Sequence, residues 1–251
     1  MKIDIHWNNQ IWTADLRQGM DISIPLKRGK MTPNCFFAPF YEAKPFKSGD
    51  FIGSIEQGSP VNFYNVIINP HGNGTHTECV SHIVNETVSI HDCLHEFHFF
   101  GEIISVFPQL FPNGDRIITK ESLLLLGKEY KTDVLILRTL PNDDGKLDRS
   151  YSGTNPPYLN KEAVALIVDW GVRHLILDLP SVDREEDGGR LEGHKTFWSK
   201  EDGWDKTKTI TEMVYVPNVI LDGLYFVQFS IISVDIDASP SKIILYPVQQ
   251  K

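Results

Sequence analysis

The sequence predicts an α/β fold with a mixed or largely antiparallel β layer and helices packed on one side of it. Strand, helix and strand alternate over residues 132–179, which is typical of an α/β core. Apolar segments from residue 209 onwards indicate further strands. Hydrophobic residues make up 41% of the 251-residue chain and charged residues 23%. The chain therefore has enough apolar surface to build a core.

The elements of the first half are short. Gly, Pro and aromatic residues are frequent in the first sixty positions, with strand-like pieces such as Met20–Pro25. Asn62–Asn69 is rich in aromatic and β-branched residues, which favour strands. It leads through Pro70 into a loop rich in Gly and His, and Gly101–Phe107 is the next apolar strand candidate.

The second half has longer elements. Thr119 opens a Thr-x-x-Ser sequence that can start a short helix, and Leu159–Trp170 predicts a helix capped by Asn160 and ended by Gly171. Strands are predicted at Thr132–Leu137, His174–Leu179, Thr209–Val216, Gly223–Ile232 and Ser241–Val248.

Charge and cysteine content restrict the partners. The formal net charge is −9 and no basic run is present, so the chain repels phosphate groups, and we expect neither a nucleic acid nor a membrane partner. The sequence shows no signal peptide and no apolar run of about 18 residues that could span a membrane. Three cysteines, Cys35, Cys79 and Cys93, have no pairing-like spacing. We therefore expect reduced thiols and a cytoplasmic location.

The segment HGNGTHTECVSH at residues 71–82 carries the chemistry. It holds three histidines and one carboxylate within a Gly-rich loop that can turn tightly. In an extended chain His76 and Glu78 point to the same face, because the strand period is two. Imidazole and carboxylate groups are ligands for Zn²⁺ or Mn²⁺. A metal ion with an open position activates water and polarises a carbonyl, and His82 is then available to move protons.

Other interpretations of these residues remain open. Histidines in loops also serve as caps or hydrogen-bond partners. His91, His95 and His98 would share one face of a helix and form a second candidate metal site. Cys79 beside His82 is a weaker candidate for a nucleophile. Asp235 and Asp237 resemble paired carboxylates but are interpreted as flanking a turn.

Several segments of the sequence resemble those of a known protein family. GTHTECVSH is similar to the Gly-Thr-His-x-Asp-x-x-x-His signature of the metal-dependent kynurenine formamidase and cyclase family. The resemblance continues in the family's order over about residues 12–246, through the Asp15-Leu16 to Ile24-Pro25 stretch, VLILRTL (134–140), LILDLPSVD (175–183), LEGHK (191–195), TITEMVYV (209–216) and DASPSK (237–242).

The resemblance assigns roles to residues. It implies His82 as the general acid/base. It implies a set of metal ligands for one or two Zn²⁺ or Mn²⁺ ions, namely His71, His76, Glu78, His194 and Glu212. The charged run DREED at residues 183–187 is typical of a solvated loop, with support of the site by Asp183 and Ser181 as the alternative.

The chain departs from the family pattern at four places, one of which is Cys79-Val80, where the family has Ala-Pro after the acid. Glu78 replaces the usual Asp and reaches one methylene further. His71 lies five residues before His76, where the family has four. The insertion around Trp198–Trp204 separates His194 from Glu212 by more than is usual.

The resemblance also implies an architecture and an activity. It implies one domain over residues 1–251 with a swivelling β/β/α arrangement, assembled as a homo-oligomer, either a dimer or a tetramer. The implied activity is metal-dependent hydrolysis of a C–N bond in a small, aromatic amide, formamide or cyclic amide, as in the arylformamidase step of tryptophan catabolism. Phe63, Tyr64 and Trp198 are candidates for an apolar floor or for ordinary core packing.

Two alternatives to hydrolysis stay open. A cyclase or dehydratase would use the metal and His82 for proton abstraction. A non-catalytic member would only bind a small molecule or a metal.

Overall fold

The computed structural model describes residues 1–28, 32–85 and 87–251. Its strands are β1 (Lys2–Trp7), β2 (Gln10–Asp15), β3 (Met20–Asp21), β4 (Glu42–Pro45), β5 (Lys47–Ser48), β6 (Phe51–Ile52), β7 (Tyr64–Ile67), β8 (His76–Glu78), β9 (His98–Val106), β10 (Gln109–Leu110), β11 (Arg116–Ile118), β12 (Val134–Thr139), β13 (Tyr158–Leu159), β14 (His174–Leu177), β15 (Ser199–Lys200), β16 (Gly203–Trp204), β17 (Thr209–Glu212), β18 (Gly223–Ile231) and β19 (Ala238–Gln250).

The helices are fewer and short. The α-helices are α1 (Ile90–Cys93), α2 (Lys120–Leu126), α3 (Lys161–Asp169) and α4 (Glu192–Trp198). Single turns of 3₁₀-helix occur at Leu16–Gln18, Ile55–Gln57, Val80–His82 and Asp144–Leu147. In the described ranges, no helix is long and apolar enough to cross a membrane.

Seven strands within the described ranges close on themselves in the order β8-β17-β14-β12-β9-β18-β19 and back to β8. Strands β9, β12, β14 and β17 run parallel, and the other four pairings are antiparallel. The predicted mixed α/β class is confirmed, and the β layer closes into a barrel, which the sequence did not indicate. Closure depends on β19, which pairs with β18 along its middle and reaches β8 through Ala238–Pro240.

Side chains along the parallel strands point alternately to the two faces of the sheet, so they form two separate core clusters. Ile136 and Ile176 face the barrel interior, in one cluster with Val227 and Leu245 from the antiparallel side. The intervening leucines, such as Leu135, face outwards and pack against α2, α3 and α4. The helices therefore cover the outer face of the parallel strands, on one side as predicted.

The predicted helix starts are confirmed. The Thr119 side chain accepts a hydrogen bond from the Ser122 backbone N–H at 3.2 Å, and Ser122 Oγ accepts one from the Thr119 N–H at 3.1 Å. Asn160 caps α3 by accepting from the Ala163 N–H at 3.0 Å, and Gly171 takes a left-handed φ of 77° just beyond the helix.

Two predicted strands are shorter than their apolar patterns. The Met20–Pro25 piece forms only the two residues of β3. The Thr209–Val216 segment ends at Glu212, because Met213 has a positive φ of 53° and its N–H bonds Leu179 O instead. This bend leaves Glu212 at the last position of β17.

His174 in β14 generates a prediction about stability and pH. Its Nδ1 lies 2.8 Å from Thr209 Oγ1, and the rings of Phe99 and Phe229 flank it. Burial, helped by the charge of Arg173, lowers the pKa of His174 to about 3, below the value of about 6.5 in an unfolded chain. Below about pH 6.5 the unfolded state therefore binds a proton that the folded state does not.

Because of His174, we expect the free energy of unfolding to fall by up to about 1.4 kcal/mol per pH unit as the pH falls from about 6.5 towards 3. His174→Asn removes that titration while its amide can still bond Thr209, so its stability should fall less steeply. Urea unfolding at about pH 7 and about pH 5 checks this. Parallel losses in both proteins would contradict it.

Candidate metal centre

The first two candidate ligands lie on β8, on the outer face of the barrel. His76 is opposite Glu212 in the register of β8 and β17, and Glu78 is opposite Ile210. His76 Nε2 lies 3.4 Å from Glu212 Oε2, and all these side chains are buried. Because Ile210 belongs to the core cluster under the helices, His76, Glu78 and Glu212 face the helical side.

The glycine loop before β8 positions His71. Gly72 passes so close to Ala38 that a Cβ at position 72 would lie 2.2 Å from the Ala38 Cβ, and Gly74 has a φ of 81°. This turn brings His71 over Glu78, with His71 Nδ1 3.0 Å from Glu78 Oε2. The extra residue between His71 and His76 is therefore absorbed in the loop.

His82 lies at the end of the 3₁₀ turn that follows β8. Its Nε2 is 3.8 Å from Glu78 Oε2, and its ring stacks on that of His71 at 4.2 Å between centroids. Its Nδ1 is 3.3 Å from Asp237 Oδ2, which is also 2.8 Å from His71 Nε2. His82 is partly exposed, so it forms the open side of the cluster.

His194 comes from α4 and is held by Asp183. The Asp183 carboxylate accepts hydrogen bonds from the Gly193 N–H at 2.6 Å and the His194 N–H at 3.1 Å, and it lies 2.6 Å from His194 Nδ1. The opposite nitrogen, His194 Nε2, is 3.1 Å from Glu78 Oε1. The Asp183 contact orients the ring, as a carboxylate behind a metal-bound histidine does.

All six predicted site residues thus lie together around Glu78, although their roles as ligands or proton carriers stay predictions. The long insertion before β17 does not separate His194 from the others. Glu212 is fixed from behind, because its Oε1 accepts a hydrogen bond from the Val182 N–H at 2.9 Å.

The charges of the cluster stabilise one another. Burial lowers the pKa of His71, but its contacts with the Asp237 and Glu78 carboxylates outweigh burial and raise the pKa to about 10. Burial likewise opposes protonation of His194, yet Asp183 and Glu78 raise its pKa to about 10. Burial raises the pKa of Glu78, but nearby histidines hold it well below its usual range. The carboxylates therefore create a position that favours positive charge.

The donor atoms fit a metal ion. Within the described part of the chain, His76 Nε2 and Glu78 Oε2 are buried and make no hydrogen bond of good geometry, although His71 Nδ1 lies 3.0 Å from Glu78 Oε2. Ligand atoms lie within 4.8 Å of one another in three overlapping groups: His71, His76 and Glu78; His71, His82 and Asp237; and Glu78, His82 and His194. Imidazole nitrogens and carboxylate oxygens are a donor set for Zn²⁺ or Mn²⁺.

Asp237 is the site residue that the sequence interpretation missed. It was expected to flank a turn, whereas its carboxylate contacts both His71 and His82. The pairing of β19 with β8 brings it there, since the Cys79 N–H bonds Asp237 O at 3.0 Å. The available signal was its position at the start of DASPSK, inside the resemblance to the family.

The second histidine cluster is not built as a site. The segment does not form one helix: α1 ends at Cys93, and His98 already begins β9. His91, His95 and His98 are exposed and belong to none of the potential metal groups found among the described residues.

The remaining candidates lie elsewhere or point away. Phe63 is exposed and packs on Phe46, so it forms neither a pocket floor nor core. Tyr64 stacks under Arg28. Cys79 is fully buried, and its Sγ donates to Val88 O. Trp198 is buried behind the His194 ring.

A cavity of about 210 Å³ opens beside the cluster. His71, Glu78, His82, His194 and Glu212 line it. The rest of its wall is formed by Phe36, Ser181, Arg184 and Leu191, together with Asp183, Glu185 and Asp187. The space admits a small molecule directly onto the predicted ligands.

Comparison with known protein families identifies the family of this chain. The model of the family described as "Putative cyclase" matches residues 20–184, well over half of the chain. The protein belongs to this cyclase family. A search of curated proteins finds no significant match.

Solved structures share the fold of this chain. Eighteen chains match significantly. A "potential metal-dependent hydrolase with cyclase activity" is 17% identical, with a TM-score of 0.66 over 91% of this chain and 96% of that one. Isatin hydrolase A from Labrenzia aggregata is 14% identical, with a TM-score of 0.64 over 91% and 93% of the two chains. Isatin hydrolase A from Ralstonia solanacearum is 14% identical, with a TM-score of 0.64 over 91% of each chain.

The contacts around Glu78 predict that substitutions at different site residues weaken metal binding to different degrees. His76→Ala removes a buried donor, so we expect it to abolish tight binding of Zn²⁺ or Mn²⁺. Asp183→Asn leaves the donors in place but weakens the orientation of His194, and we expect affinity to fall about 10–100-fold.

Metal content after purification, followed by titration with each metal, measures the affinities of the wild type and the variants. His174→Asn, which changes a buried histidine away from the cluster, is the matched control and should bind as the wild type does. Equal metal binding by wild type and His76→Ala would place the metal elsewhere.

Proposed function

We propose that this cyclase-family protein is a metal-dependent hydrolase that cleaves the C–N bond of a small amide, formamide or cyclic amide. The observation that carries this is the cavity lined by His71, Glu78, His194 and Glu212, with His82 at its open side. His76 lies behind this lining, and its nitrogen is within 4.8 Å of the ligand atoms of His71 and Glu78. A purely structural metal site is closed by its protein ligands, whereas this cluster faces a cavity.

The five predicted ligands would hold one or two ions, either Zn²⁺ or Mn²⁺. When bound, the metal supplies a Lewis acid that polarises a carbonyl and lowers the pKa of water. Glu78 is central to this set, because its two oxygens face different partners, His194 on one side and His71 and His82 on the other.

His82 is suited to carry a proton. Asp237 can accept a hydrogen bond from His82 Nδ1 at 3.3 Å, which fixes the ring and leaves Nε2 on the cavity side. A proton held at Nε2 can be given to the leaving nitrogen when the C–N bond breaks. General acid catalysis of this kind typically contributes about 10²–10⁴-fold to the rate.

The aromatic side chain of Phe36 and the volume of the metal cavity favour a flat substrate of modest size. Phe36 offers an aromatic face beside the catalytic cluster, and the volume of about 210 Å³ suits a compact ring system. Three of the similar structures are isatin hydrolases. We therefore propose isatin-like lactams and aryl formamides such as N-formylkynurenine as the first substrates to test, the latter placing the enzyme in tryptophan catabolism. The three free cysteines support a cytoplasmic location.

Cyclisation or dehydration is the second candidate reaction. One similar structure is described as having cyclase activity. In that reaction His82 Nε2 would take a proton from carbon or oxygen instead of giving one to nitrogen, with the same Asp237 behind it. The two reactions differ in product, so product analysis separates them.

His82→Ala tests the proposed proton carrier. We expect its kcat for N-formylkynurenine or isatin to fall about 10²–10⁴-fold, because the leaving nitrogen loses its acid. Asp237→Asn should lower kcat less and shift the pH profile, since it changes only the partner of His82. Chelation of the wild type should abolish turnover.

The controls make the outcomes distinct. His98→Ala, an exposed histidine outside the cluster, should leave the rate unchanged. Metal loading without turnover of either substrate would favour cyclase chemistry or another C–N substrate. Failure of the wild type to bind added metal would leave the non-catalytic alternative.

We also propose a homo-oligomer, a dimer or a tetramer. Strands β4 to β7 form two small hairpins outside the barrel that expose apolar side chains, among them Phe51, Phe63, Val66 and Ile67. Clustered exposed apolar residues of this kind mark interaction surfaces. A second copy of the chain is the partner that the family resemblance implies.

Sedimentation velocity measures the assembly. Val66→Lys places a charge on the hairpins and should shift the wild-type oligomer towards monomer. Leu125→Lys, on the exposed face of α2, is the matched control and should leave assembly unchanged. A monomeric wild type would refute the homo-oligomer.

A further inference from the structure

A second cavity, of about 470 Å³, lies at the carboxyl ends of the parallel strands β9, β12 and β14. Phe107 follows β9, Thr139 ends β12 and Asp178 follows β14, and all three line it. The cavity shares no lining residue with the metal cavity among the described parts of the chain. Ligands of α/β proteins commonly bind outside the carboxyl ends of parallel strands.

The floor of this cavity is a buried ion pair that is fully hydrogen-bonded. Lys146 Nζ donates to Asp178 Oδ2 at 2.7 Å and to Thr139 O at 2.8 Å. The Asp178 carboxylate also accepts from the Thr139 N–H and Oγ1 at 2.8 and 2.9 Å. The two charges cancel, so the floor is rigid and electrically neutral.

Tyr151 brings an unused hydroxyl into the wall. Its side chain packs against Cys35 and Met213, and the residue is only 4% exposed. Its hydroxyl makes none of the side-chain hydrogen bonds of the described ranges, and it is not among the buried atoms there that lack a partner, so it is open to the cavity. The charged groups that act on this hydroxyl are Arg149, Asp178 and Asp143, and each of them lines the cavity. The hydroxyl is therefore available to a ligand there.

One positive charge of the cavity is uncompensated. Arg149 Nη2 binds both oxygens of Asp143, at 2.8 and 3.1 Å, and Lys146 is paired with Asp178. Arg116 has no carboxylate within ion-pair distance in the described ranges, and its Nη2 donates only to Asn155 O at 3.3 Å. An acidic chain thus presents a locally positive cavity.

The rest of the wall is apolar. Phe107, Leu140, Pro141 and two further prolines, Pro156 and Pro157, line it beside the arginines. A single uncompensated charge matches a monoanion rather than a dianion. Apolar walls of this size match a ligand with an uncharged hydrocarbon body.

We propose that this cavity is a second binding site, for a small organic monocarboxylate. Arg116 pairs with the carboxylate, the Tyr151 hydroxyl donates a hydrogen bond to the ligand, and the hydrocarbon body packs on Phe107 and the prolines. The site is separate from the metal cavity and does not depend on the proposed hydrolysis.

Benzoate and its uncharged analogue benzamide are suitable probes. Isothermal titration of the purified full-length protein should show benzoate binding at least about tenfold tighter than benzamide. Arg116→Gln should abolish this preference, and Tyr151→Phe should weaken benzoate binding about 3–30-fold. Arg17→Gln, an exposed arginine at the N-terminal hairpin, should bind benzoate as the wild type does.

A second set of measurements locates the probe. Benzoate binding should persist after chelation and in His82→Ala, because neither change touches this cavity. Thermal unfolding checks that Tyr151→Phe is folded. If it is not, Arg116→Gln alone tests the proposal, because Arg116 is exposed and its substitution does not disturb the core. Equal affinity for benzoate and benzamide, wild-type affinity in Arg116→Gln, or loss of binding in His82→Ala would each overturn the proposal.

Discussion

The buried carboxylate of Glu78 is the constraint around which the site is built. The residue is 1% exposed, and a lone charge at such depth is strongly unfavourable. Three histidines approach its two oxygens, at 3.0 Å for His71, 3.1 Å for His194 and 3.8 Å for His82. His71 and His82 flank β8 in the same segment as Glu78, whereas His194 comes from α4. Because α4 must dock before His194 can reach Glu78, formation of the site is coupled to folding.

Carboxylates behind the histidines extend this coupling. Asp183 binds two backbone N–H groups at the start of α4 as well as the His194 ring, so the helix and the ligand are positioned together. Asp237, directly before β19, contacts both His71 and His82. Because the pairing of β19 with β8 closes the barrel, the same pairing brings Asp237 to these two histidines.

An apolar wall of three side chains, Tyr151, Met213 and Cys35, connects residues of the two cavities. Tyr151 faces the second cavity and packs on Met213, which directly follows Glu212 in the metal cavity. Cys35 completes this contact and donates from Sγ to His71 O at 3.2 Å. The wall consists of residues that are neither ligands nor part of a regular element, so it depends on the bend at Met213, where φ is 53°.

Local patterns were enough for much of the fold. Apolar alternation and capping residues predicted β9, β12, α2, α3, β14 and β18 close to their observed bounds, because those signals act within a few residues. The spacing of His76 and Glu78 predicted that both would face one side, and strand β8 confirms it. The family resemblance added His194 and Glu212, which spacing alone could not connect to residues 71–82.

The sequence by itself determined the class of elements, the nature of the donor groups and the family. Tertiary structure decided that the sheet closes, that Asp237 belongs to the site and that a second cavity exists. The physical reason is separation along the chain: Asp237 lies 155 residues from His82, and their contact arises from strand pairing between β19 and β8. Periodicity reports which face a side chain takes, but only the packing of distant segments decides what it meets there.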